Sequence, residues 1–127
     1  PNDPAHARQR SAAWDHLYGG EERASRERET QQQREALARQ ARNDIDAGRG
    51  PRELREHRVD GPQTHVPGSQ YHVQGPHRGD PGLNLDGTFH DGDPGWNRRT
   101  YEWLYDHGWA WPQQNPPAGE PPSHNPW

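Results

Sequence analysis

Residues 71–109 read YHVQGPHRGDPGLNLDGTFHDGDPGWNRRTYEWLYDHGW, and this stretch decides the fold. Short runs over 70–73, 83–85 and 88–90, set apart by Gly, Pro and Asp clusters, predict three strands joined by turns. Alternation sends Tyr71, Val73, Leu83, Leu85 and Phe89 to one face, and His72, Asn84, Asp86, Thr88 and His90 to the other. One face is a core and the other a polar cluster. Beyond it, Asp93 and Pro94 read as a helix N-cap and first turn, and Gly108 as the stop. Between them Tyr101, Leu104 and Tyr105 fall at i, i+3 and i+4, with Trp103 beside them and Trp96 earlier. A left-handed Gly108 would fold Trp109 back onto Leu104. The predicted fold class is α+β: a small antiparallel β-meander packed on a C-terminal helix rich in aromatics.

Outside this stretch the chain is poor in core-forming residues. Of 127 residues, eleven are Val, Ile, Leu or Phe, against 14 Gly and 14 Pro. That share is below the roughly 20% under which a chain reads as disordered. Eight of the eleven aromatics, however, fall within 60–111, where Trp and Tyr replace the missing aliphatics. Twelve of the fifteen Arg precede residue 60 and are balanced by eleven acids, whereas residues 60–127 carry three Arg against eight acids, a net −5. Residues 1–59 therefore read as a charged helical linker or docking segment, with a helix over 21–47 and a thin apolar stripe of Leu37, Ala38, Ala41 and Ile45. Such a stripe is solvated or lies against a partner. Pro51 begins a second helical turn through Glu53, Leu54 and Arg58, and Trp14 with Tyr18 forms an i, i+4 aromatic pair. Residues 60–111 read as the compact domain, and 112–127, with six Pro, as a disordered tail. No run is long and apolar enough for a membrane span, and no apolar signal-peptide core is present. Zero Cys excludes disulfides and thiolate zinc sites. A first residue of Pro1 suggests a piece of a longer chain.

The pieces YHVQG, LNLDGTFHDGD and YEWLYDHGW, in that order, resemble the ends of short C-terminal toxin domains of bacterial polymorphic and contact-dependent inhibition systems. There a His-bearing strand is followed by an Asn-x-Asp-Gly-Thr turn, a nearby His and a Trp-Leu-x-x-His-Gly-Trp helix end. The match places Tyr71, His72 and Val73 on the strand, Asn84, Asp86, Gly87 and Thr88 in the turn, His90 after it, and His107, Gly108 and Trp109 at the end. Gln74 stands where those domains tend to carry a second His. The resemblance implies a secreted effector that is delivered by an upstream carrier, acts in the cytoplasm of a target cell and is neutralised by a cognate immunity protein. It also implies that the activity is that of a nuclease, and the expected substrate is RNA.

Metal-independent RNA cleavage needs one group to deprotonate the 2′-hydroxyl and another to protonate the leaving oxygen, work suited to two histidines. His72 and His90 are the candidates, with Asp86 orienting a histidine, Arg78 holding the phosphate, and Thr88 and Asn84 contacting substrate. This chemistry calls for no cofactor and no metal. Two alternatives stand beside it. A metal-dependent nuclease would use His72, Asp86, His90 or Asp91 as ligands, with Asn97 and His107 loosely matching a His-Asn-His pattern. A non-enzymatic secreted interaction module would bind through Trp96, Trp103, Trp109 and Trp111. The net −5 of residues 60–127 weighs against nonspecific nucleic-acid binding, and the Arg-rich half is the better source of backbone contacts.

Overall fold

The computed structural model describes residues 20–113 and 119–127, with side chains of the first helix from residue 22 onward. The Trp14 and Tyr18 pair lies outside the described residues. The elements are α1 (Gly20–Asp46), a 3₁₀ turn (Arg52–Leu54), β1 (Arg58–Asp60), β2 (His72–Gln74), β3 (Gly82–Asn84), β4 (Phe89–His90) and α2 (Arg98–Asp106). The strands pair in chain order, each antiparallel to the last, as a four-stranded meander. The fold is α+β, as the sequence predicts.

The three predicted strands are offset by one or two residues, at 72–74, 82–84 and 89–90, and two other elements differ in kind or start. The helical turn expected through Arg58 ends at Leu54, and Arg58–Asp60 is instead an edge strand with Val59 opposite Val73. A three-residue strand with one apolar residue between two charges has no period of its own, so only β2 defines it. Helix α2 starts at Asn97, whose Oδ1 accepts the Thr100 N–H at 3.1 Å, and Glu53 Oε1 accepts the Asn97 N–H at 2.9 Å. Asp93 instead accepts the Gly95 N–H at 2.8 Å, closing a local turn.

The other end of α2 follows the sequence closely. Gly108 is left-handed at φ 102°. Its N–H donates to Tyr105 O at 3.3 Å while the Trp109 N–H donates to Leu104 O at 3.0 Å, the paired bonds of a Schellman cap. Trp109 is thereby driven into the core, where its Nε1–H finds Leu83 O at 3.0 Å.

The chain divides after Gln32 into two units, and the packing described here belongs to Gln33–Trp127. Val59, Val73 and Leu83 form one row of the apolar sheet face, and Leu54, Leu85, Tyr101, Leu104 and Trp109 join them. Ala38, Ala41 and Ile45 of α1 are buried in the same cluster. The helix is tied down by Arg34, whose Nε–H donates to Gly108 O at 2.8 Å and whose Nη2–H donates to Leu85 O at 2.5 Å. Burial lowers the pKa of that guanidinium, and the charges of Asp86 and Glu35 offset part of the effect. At the C-terminus, Trp111 Nε1–H donates to Gly119 O at 2.9 Å, and Tyr105 meets Trp127 edge-on at 5.0 Å. Among the described residues no helix is long and apolar enough to cross a membrane.

Candidate functional site

Strand register sets the polar face. Asp60, His72 and Asn84 stand in one row across β1, β2 and β3, and Arg58, Gln74, Gly82 and His90 stand in the next across all four strands. Gly82 leaves the second row bare at β3, and the imidazoles of His72 and His90 stack there with centroids 4.4 Å apart and planes 29° from parallel. A Cβ on Gly82 would overlap the Val73 carbonyl, so the gap is built into the backbone.

Each imidazole has its own carboxylate. His72 Nε2 lies 3.5 Å from Asp60 Oδ2, and its Nδ1 lies 3.3 Å from Gln70 O. Asp60 is held in turn by Arg58 Nε at 3.1 Å and by the Gln74 amide, which donates at 3.0 Å. His90 Nε2 lies 3.4 Å from Asp91 Oδ2, and Asp91 takes a left-handed φ of 59°, which aspartate tolerates. The side chains of His72 and His90 are 19% and 32% exposed, accessible yet supported. They sit where two open grooves meet. One, of about 550 Å³, is lined by Arg58, Asp60, Gln63, Gln74 and both histidines; the other, of about 240 Å³, by Val66, Pro67, Gln70, Asn84 and both histidines.

The sequence candidates thus separate into groups. His72, His90 and Asn84 come together. Asp86 stands beside neither imidazole: its carboxylate accepts the Thr88 N–H at 3.0 Å and the Thr88 hydroxyl at 2.5 Å, and Thr88 Oγ1 in turn accepts Asn84 Nδ2–H at 3.0 Å. The carboxylates that touch the rings are Asp60 and Asp91. Arg78 is exposed in the β2–β3 turn beside Gly79, at φ 86°, and lines neither groove; the groove arginine is Arg58. Asn97 and His107 occupy opposite ends of α2, Asn97 as its cap and His107 stacked on Trp103 at 3.9 Å with Nε2 3.3 Å from Asp44. Arg58 and Asp60 escaped the sequence reading. Their signal was the charged–apolar–charged triplet Arg58-Val59-Asp60, which has meaning only once β1 is paired.

Burial pushes the Asp86 carboxyl up, but the hydrogen bonds from Thr88 and Gln70 and the Arg34 charge outweigh it and hold the pKa below the ordinary value. A carboxylate with a depressed folded pKa stabilises the fold above its unfolded pKa, and that contribution disappears as pH falls through the folded value. Between about pH 5 and about pH 2 the urea midpoint should therefore fall, and Asp86→Asn should lose less of it than wild type. An equal loss in both proteins would remove Asp86 from the account.

Among the described residues no group of three or more His, Asp or Glu side chains is placed to hold a metal ion. Comparison with protein-family models, curated proteins and solved structures finds no match to the chain.

Proposed function

We propose that this chain is an RNA-cleaving toxin domain that uses His72 and His90 as an acid/base pair on a phosphodiester. The observation that carries the reading is the stacking of two imidazoles, each beside its own carboxylate, at the junction of two open grooves. The contacts around the two rings support one division of roles. With Asp91 accepting at Nε2, the Nδ1 of His90, for which no donor is found among the described residues, serves as base toward the 2′-hydroxyl. His72, between Asp60 and Gln70 O, takes the role of acid toward the leaving oxygen. The 2′-oxygen attacks phosphorus, the bond from phosphorus to the 5′-oxygen breaks, and His72 protonates that oxygen. The products are a 2′,3′-cyclic phosphate and a free 5′-hydroxyl. Arg58, at the edge of the larger groove, offers its guanidinium to the phosphate.

The resemblance to bacterial toxin domains supplies the biological setting: secretion behind an upstream carrier, action in the cytoplasm of a target cell, and restraint by a cognate immunity protein. The test is to incubate the full chain with total RNA and with DNA, with and without a chelator. RNA should be degraded equally in both conditions while DNA survives. Intact RNA would remove the nuclease reading, and cleavage abolished by the chelator would replace it with a metal-dependent one.

A further inference from the structure

We infer that Ser69 is a phosphate-binding residue of the site, whose hydroxyl donates to a non-bridging oxygen of the phosphoryl group held between His72 and His90. The inference rests on the nuclease reading for its place in catalysis, while the donor itself is read from the loop between β1 and β2.

That loop is folded by its own hydrogen bonds. Val66 N–H donates to Gln63 O at 3.0 Å, Ser69 N–H donates to Val66 O at 3.2 Å, and Gln63 N–H donates to Ser69 Oγ at 2.7 Å. Two successive turns are thereby closed by one side chain. The last bond also fixes how the hydroxyl is used. A backbone N–H only donates, so Ser69 Oγ is the acceptor there and its own proton is left over. Among the described residues no acceptor takes that proton.

The second observation is one of place. The two grooves have three lining residues in common, Ser69, His72 and His90. A phosphodiester that reaches both imidazoles at this junction therefore lies beside the Ser69 hydroxyl as well. Arg58 lines only the larger groove, so the two donors approach the phosphoryl group from different sides, each with one non-bridging oxygen to serve. Arg58 is already engaged by Asp60 at 3.1 Å, which leaves a role for a second donor. As the 2′-oxygen adds to phosphorus, negative charge grows on the non-bridging oxygens. A hydroxyl already held by another hydrogen bond stabilises that charge with little reorganisation. Ser69 keeps its proton throughout, and the proton transfers remain with the histidines.

Ser69 lies outside the buried cluster and Gln63 is exposed, so water can take over the Gln63 N–H and Ser69→Ala should melt with the wild type. With the full chain, a diribonucleotide and its two phosphorothioate diastereomers test the assignment. Each diastereomer places sulfur, a poor acceptor, at one non-bridging position. Ser69→Ala should lower kcat on the phosphate diester by about 10²–10³-fold. It should also erase most of the rate penalty that sulfur imposes in one diastereomer and leave the penalty in the other unchanged. Loosening of the loop would instead slow all three substrates alike. A wild-type rate in Ser69→Ala, or an equal slowing of all three, overturns the role of Ser69 and leaves the nuclease intact. Where no RNA is cleaved, inorganic phosphate is titrated into both proteins by calorimetry. Binding weakened at least about tenfold by Ser69→Ala overturns the nuclease and leaves Ser69 as a phosphate ligand. Binding that the substitution does not change overturns both.

Discussion

His72→Ala and His90→Ala are each expected to slow RNA cleavage by about 10²–10⁴-fold, the range that one positioned proton-transfer group contributes. The two substitutions should not add. Base and acid act in one displacement, and a reaction deprived of one proton transfer gains little from retaining the other. A double variant close to the worse single one is therefore expected. A trivial loss of fold is separable from this effect, because both rings lie on the polar face, partly exposed, and neither belongs to the buried cluster. Unchanged thermal melting with lost cleavage would assign the residues to chemistry. Asp91→Asn should produce a smaller loss, since it leaves His90 in place and only weakens what holds its Nε2–H. If both alanine variants cleave at the wild-type rate, the pair is a surface feature and the proposed mechanism fails.

The second large effect concerns the fold. Gly108→Ala is expected to destabilise the protein by roughly 2–5 kcal/mol, which adds a left-handed backbone penalty of about 1–2 kcal/mol to an overpacking cost of about 1–3 kcal/mol. Both contributions act at one atom. Gly108 sits at φ 102°, and a Cβ there would overlap the Arg34 carbonyl on α1. Relieving the overlap would pull apart the hydrogen bonds from Arg34 to Gly108 O and Leu85 O and disturb the cap that seats Trp109. Melting should drop by at least about 8 °C, given roughly 4–8 °C per kcal/mol for a unit of this size. A drop within about 2 °C would mean that α1 does not lean on the end of α2 as described.

The end of α2 was legible because one glycine followed by a tryptophan carries both the stop signal and its hydrophobic contact. Its beginning was not, since Asp93 and Asn97 are both good caps and only Glu53, far away in sequence, favours the second. The partner of α1 was equally hidden. Ala38 and Ala41 contribute little area, and what they provide is close approach to a surface that exists only after the sheet has formed. At the site, alternation put His72 and His90 on one face, but their meeting depends on Gly82 in the strand between them. Asp60 reaches His72 through cross-strand register, and Asp91, visible beside His90, reads in sequence as a turn residue. Periodicity carries which face a residue takes, whereas the identity of its neighbour on that face is set by pairing.

The central claim is that His72 and His90 transfer protons in a displacement by the 2′-hydroxyl, and the chemical form of the product tests it most directly. A dinucleotide substrate followed by phosphorus NMR in the presence of a chelator should give a 2′,3′-cyclic phosphate signal with wild-type protein and almost none with His72→Ala. A linear 5′-phosphate as first product, or cyclic phosphate released equally by both proteins, would contradict it.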